Sequence, residues 1–119
     1  ASLDTILAEK METILSRGTV NTRLRDFYDV YILSQQYADE IMAENVYSAL
    51  MATSKKRGSE KVILDGERIL SEIFNSQDMI SLWENYQNRF EYAAEAGWHD
   101  VMDAVIGLYR NLAGATAQI

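Results

Sequence analysis

No proline occurs anywhere in the 119 residues, and the six glycines stand singly. Proline removes a backbone donor and glycine costs the most conformational entropy on ordering, so these are the residues that interrupt helices. A chain without clusters of them, and with weak period-2 alternation, can run helix after helix but is poorly suited to a sheet. The expectation is an all-α fold, a compact bundle of five to six helices. With 48% hydrophobic residues the chain is long enough to bury one core, so residues 1–119 are read as a single helical domain.

The breaks that do exist place the helices. Ser2 is a natural N-cap for a first helix with Asp4 in its first turn, and Gly18 a natural C-cap. Thr19–Thr22 is a short linker to a second helix, capped by Thr22 or Asn21 and running to about Gln36. Asp39 can cap a third, roughly Glu40–Thr53, and Ser54–Ser59 then reads as a basic loop. A shorter helix follows over about Asp65–Phe74. Ser76 caps the next, Gln77 to about Ala96, with Ile80, Trp83, Tyr86, Phe90 and Ala94 as its inward stripe. Gly97 ends it, and the last helix covers about His99–Leu112, with Val101, Val105, Leu108, Tyr109 and Leu112 inward, before a frayed tail.

Charge and composition exclude several functions. No apolar run approaches the roughly 18 residues of a membrane span, and no secretory signal is visible, so a soluble, cytoplasmic protein is expected. Without cysteine there are no disulfides or thiolate zinc sites, and a single histidine makes any zinc site unlike the usual ones. The net charge of −7 is uneven: Ala1–Ser59 holds seven Lys/Arg against eight Asp/Glu, Glu60–Ile119 four against ten. An acidic body disfavours a broad phosphate-binding surface, so any anion contact must be local and in the first half.

That half contains one unusual arrangement. On a helical wheel Leu3, Ile6, Leu7, Met11, Ile14 and Leu15 form one apolar arc, and Lys10 falls inside it, whereas Glu9 and Glu12 fall on the opposite, wet side. Arg17 lies on the same edge as Lys10. The second helix is apolar nearly all round, which predicts burial on most sides, yet it carries Asp26 and Asp29 at i and i+3. An inward lysine must snorkel, pair with a carboxylate or reach into a cleft, because burying it unpaired costs several kcal/mol. Spacing leaves two readings open. One is a structural network in which Lys10, Arg17 or Arg25 answer the aspartates. The other is a lysine that orients phosphates beside an aspartate that aligns a nucleophile.

At these residues the sequence resembles a known family. Ala8-Glu9-Lys10-Met11-Glu12-Thr13-Ile14-Leu15-Ser16-Arg17, followed by Arg23-Leu24-Arg25-Asp26-Phe27-Tyr28-Asp29, is similar to the later motifs of the abortive-infection nucleotidyltransferase toxins of AbiEii/AbiGii type. Ser81–Tyr86 and the helix after it are similar to that family's closing segment. The resemblance implies a helical C-terminal domain that completes an active site with a lysine, an arginine and an aspartate. Lys10 takes the nucleotide-contacting lysine's place, Arg17 the arginine's, and Asp26, with Asp29 beside it, the acidic position. It further implies transfer of a nucleotide from a nucleoside triphosphate, with magnesium, to an RNA acceptor such as a tRNA end, and a separate antitoxin. The family's Gly-Ser-x-acidic-x-acidic metal motif does not occur in 1–119, since Gly58-Ser59 is followed by Glu60-Lys61-Val62. The chain is accordingly expected to be the C-terminal part of a longer protein, with no metal or cofactor site of its own, inactive alone. Self-association through the surface that an N-terminal catalytic domain would cover is expected as well. The alternative is a non-catalytic helical interaction module.

The remaining candidates have plainer readings. His99 is expected to cap or pack, and Lys55-Lys56-Arg57 to be a solvated loop rather than an RNA contact. Tyr28, Tyr31, Trp83, Tyr86, Phe90 and Tyr92 are expected to pack in the core rather than stack bases.

Overall fold

The computed structural model describes residues 2–117. Those residues form seven α-helices and two 3-10 turns with no strand: α1 (Leu3–Arg17), α2 (Leu24–Gln36), α3 (Ala43–Arg57), α4 (Glu60–Leu64), α5 (Gly66–Asn75), α6 (Gln77–Arg89) and α7 (Trp98–Ala117). The all-α expectation holds, and the short α4 is the helix added to it. Two of the caps are as expected. Ser2 Oγ accepts from the Thr5 N–H and Ser76 Oγ from the Met79 N–H, each at 3.2 Å.

The core lies where α1, α2, α3 and α7 meet, with α5 and α6 closing one end. Leu7, Met11, Ile14 and Leu15 of α1, Phe27 and Val30 of α2, Val46 and Leu50 of α3, and Val101, Val105 and Leu112 of α7 are buried. Trp83 is fully buried and stands between Trp98, with ring centroids 5.9 Å apart, and Tyr86, stacked at 5.1 Å. Its indole N–H donates to the Ala96 carbonyl at 2.8 Å, so the largest buried side chain leaves no polar atom unmet.

Several sequence expectations are corrected. α3 starts at Ala43 rather than Glu40, and Asp39 caps nothing: residues 37–40 form a turn in which the Ile41 N–H donates to the Tyr37 carbonyl. Neither Thr22 nor Asn21 is the cap of α2: that position is Arg23, whose N–H donates to Asn21 Oδ1 at 2.7 Å. The expected basic loop is the last turn of α3, with Lys55, Lys56 and Arg57 at the negative end of the helix dipole. Gly58 ends it in the left-handed region at φ +69°, which a residue without Cβ adopts freely.

α6 stops at Arg89 because Phe90 turns extended, and a 3-10 turn over Glu91–Ala93 follows. Its buried residues are Met79 and Trp83; Ile80, Tyr86 and Phe90 are half-buried and Ala94 is exposed. α2 is covered on fewer sides than its composition predicts, with Leu24, Asp26, Phe27 and Val30 buried but Tyr28, Tyr31, Ile32 and Leu33 half-buried. The expected frayed tail is helical to Ala117, with Ala115 buried; Gln118 and Ile119 lie outside the described residues. At Gly66 a Cβ would run into the ring of Tyr109, whose hydroxyl donates to the Ile63 carbonyl at 2.7 Å. That close approach locks the α4–α5 corner onto α7.

Candidate functional site

The short connection after Gly18 folds α2 back along α1, and this brings Lys10 onto both aspartates. Lys10 Nζ lies 2.9 Å from Asp29 Oδ2 and 3.4 Å from Asp26 Oδ1. Asp29 also receives Arg25 Nε at 3.0 Å, and Asp26 Oδ2 lies 3.5 Å from Arg23 Nε. The Asp26 side chain is only 5% exposed, against 22% for Lys10 and Asp29. Its Oδ2 is buried without a hydrogen bond, because 3.5 Å to a guanidinium gives charge attraction but little directional bonding.

The cluster opens to one side. Glu9, Lys10, Thr13, Arg23, Asp26 and Arg57 line a depression of about 240 Å³. The lysine is therefore paired and at the same time part of the wall of an open space. Arg17 is exposed on α1 beyond that wall and makes no ion pair among the described residues. So the structure brings Lys10, Asp26 and Asp29 together and leaves Arg17 apart.

Two participants escaped the sequence reading. Glu12 does not face water: it is 4% exposed, accepts from Ser16 Oγ at 2.7 Å, and pairs with Arg57 Nη1 at 2.5 Å. Burial pushes its carboxyl up, and the hydrogen bonds from Ser16 and Arg57 more than reverse this, so it titrates below its ordinary 4.5. The signal was present, since Ala8 at i−4 and Leu15 at i+3 flank Glu12 on a buried side. Arg57, expected in a solvated loop, reaches across from the end of α3 instead.

The other candidates settle plainly. His99 Nδ1 lies 3.2 Å from Asp103 Oδ2, and its ring meets Phe74 edge-on at 5.7 Å. His99, Asp100 and Asp103 are the group among the described residues close enough to share an ion, but all three are exposed. In the aromatic set Trp83 is core, whereas Tyr92 is exposed and lies beneath Arg25, 5.4 Å from its ring centroid. The Tyr86 hydroxyl, 2.5 Å from that of Tyr92, is pushed well above the usual phenol range by burial and by this bond. No helix of the described residues is long and apolar enough to cross a membrane.

The sequence of this helical bundle was also compared with family models. The model of the Nucleotidyl transferase AbiEii toxin, Type IV TA system, matches residues 1–105. The chain belongs to this family of nucleotidyltransferase toxins of toxin–antitoxin systems. No curated protein and no solved structure gives a match.

Proposed function

We propose that this bundle is the C-terminal helical domain of a nucleotidyltransferase toxin and completes a transfer site shared with an N-terminal catalytic domain. The observation that carries the reading is Lys10, held between Asp26 and Asp29 and lining an open depression. A lysine so placed is pre-oriented, because its two carboxylate partners fix the ammonium before a ligand arrives. Its three N–H donors can turn to the phosphates of a nucleoside triphosphate while the aspartates stay in range. Asp26 Oδ2, buried and lacking a hydrogen bond, can accept from the hydroxyl of an RNA acceptor such as a tRNA end. In the transfer the hydroxyl oxygen bonds the α-phosphorus, pyrophosphate leaves, and Asp26 receives the proton. Arg17, solvent-facing on the same helix, is assigned an outer contact with the nucleotide.

The residues here do not fit magnesium. Asp26 and Asp29 are each already paired with lysine and arginine, and a hard divalent cation needs oxygen ligands not held by cations. Metal binding is assigned to the acidic motif of the catalytic domain, and 1–119 alone should transfer nothing. The protein acts in the cytoplasm, where its RNA acceptor and an antitoxin protein are found, and the bundle without its catalytic domain associates with itself. Sedimentation that stays monomeric across concentrations would overturn that last point.

The test compares the full-length protein with Lys10→Ala and Asp26→Ala, scoring growth arrest and transfer of labelled nucleotide to RNA. Both variants should be folded and inactive. If both stay folded and fully toxic, the closed 2.9 Å pair of Lys10 and Asp29 is structural and the bundle is an interaction module.

A further inference from the structure

The Lys10 depression has a wall that the lysine and the aspartates do not explain. Arg57 belongs to α3 and sits 45 residues from Glu12 in sequence, yet its Nη1 donates to Glu12 Oε1 at 2.5 Å. Glu12 is an anchor with little freedom. Its side chain is 5% exposed, it lies among Ala8, Met11 and Leu15 of the core, and its other oxygen is taken by Ser16 Oγ. The anchor also stays charged, since its carboxyl titrates below the ordinary range.

A guanidinium has five N–H donors in a planar fork, so fixing one edge sets the direction of the rest. Arg57 keeps 45% of its side chain exposed and lines the same depression as Lys10 and Arg23. A charge pair that served only the fold would be satisfied by closing on itself. Here one arm is pinned to a buried carboxylate and the other donors border open space, beside a lysine and a second, loosely held arginine. Lys55 and Lys56, next to Arg57 in sequence, are exposed and make no ion pair among the described residues. Only the third member of the basic run is drawn to the site.

We infer that Arg57 is a further phosphate-binding residue of this site and that Glu12 is the positioning residue that aims it. The phosphate is that of the nucleoside triphosphate, because Arg57 shares the depression with Lys10, and the inference rests on the reading of that depression as the nucleotide site. Bidentate donation from a pre-aimed guanidinium suits a tetrahedral oxyanion better than a free lysine would.

The experiment is steady-state transfer by the full-length protein, with KM measured separately for the nucleotide and for the RNA acceptor. Arg57→Ala should raise the nucleotide KM about tenfold, with kcat within about twofold, as expected for loss of a charge-assisted contact. Glu12→Gln, which leaves Arg57 in place but loosens it, should raise the same KM about threefold. Arg57→Lys should melt like the wild type and lie between the two, so it decides the matter if Arg57→Ala does not fold. A shift confined to the KM for RNA would overturn the assignment to the triphosphate. Lower melting temperatures with both KM values unchanged would make the pair purely structural and overturn the inference. Lys10→Ala separates the two levels: if it transfers normally the nucleotide site itself is misplaced. If it is inactive while Arg57→Ala is kinetically normal, only the role of Arg57 and Glu12 fails.

Discussion

Two regions of this bundle bury polar groups, and they differ in how fully those groups are satisfied. Where α6, its following turn and α7 meet, the indole N–H groups of Trp83 and Trp98 donate to the carbonyls of Ala96 and Phe74, at 2.8 and 3.1 Å. Gln87 Nε2 adds a bond to the Ala96 carbonyl at 2.9 Å, and the eight-residue break between α6 and α7 is tied down. Where α1, α2 and the end of α3 meet, the charges are denser and less complete. Asp26 Oδ2 and Asn21 Nδ2 are buried without a hydrogen bond, and Arg57 and Arg23 hold donors toward a depression. A satisfied buried network rigidifies a fold, whereas an unsatisfied one costs free energy that a ligand can return. The first region is scaffold. The second has bonding capacity left over.

Substitutions test that contrast. Trp83→Ala should have the largest effect on folding, about 3–5 kcal/mol from the lost burial and cavity, read from urea denaturation. A variant that unfolded no more easily than wild type would remove the aromatic region from the scaffold. Lys10→Ala should invert the pattern, costing at least about 100-fold in transfer. Its stability cost should be only about 1–2 kcal/mol, less than for a fully buried pair because the lysine is partly solvated.

Glu12 tests the boundary between the regions through pH. A carboxyl held below 4.5 stabilises the fold in its ionised form, so this contribution is fully present above pH 4.5 and is lost as pH falls through the lowered value. Glu12→Gln should therefore cost about 1–2 kcal/mol at pH 7. The gap from wild type in urea midpoints should narrow as pH falls below 4.5 and through the lowered value. A gap of constant size would show that the ionised form is not what holds Arg57. Ser76→Ala, which removes the α6 cap, should cost about 1 kcal/mol by the same measurement. At the far end, Arg68→Ala breaks exposed pairs with Asp65 and Glu72 and should leave the denaturation curve unchanged.

The expectations that held and those that failed divide along one physical line. Helix formation is local: the missing prolines, Ser2 and Ser76 as caps, and the apolar spacing of α1 and α7 needed no knowledge of neighbours. Lys10 stood out for the same reason, as a charge inside an apolar arc. Even the family motifs are local strings, and the family match covers them. Apart from the local turns at Asn21 and Asp39, the failures involve a partner further off in sequence. Lys55–Arg57 reads as a loop in sequence because nothing nearby shows Arg57 reaching Glu12, 45 residues away. Glu12 borders the apolar arc through Ala8 and Leu15, but only the packing of α3 against that side of α1 decides that it is buried rather than wet. α6 was carried to Ala96 because the bond from Trp83 that holds the broken chain exists only once the chain turns.

Local sequence establishes that the chain is helical and where most of its helices begin, and it marks Lys10, Asp26 and Asp29 as charges that need a partner or a ligand. Packing sets which charges share a depression: Lys10, Arg23 and Arg57 around Asp26, rather than the Lys10 and Arg17 edge. Hydrogen bonding and periodicity act within a few residues and are written in sequence, whereas burial is set by whatever packs opposite. For Glu12 and Arg57 that packing decided whether a charged side chain is solvated or held in place.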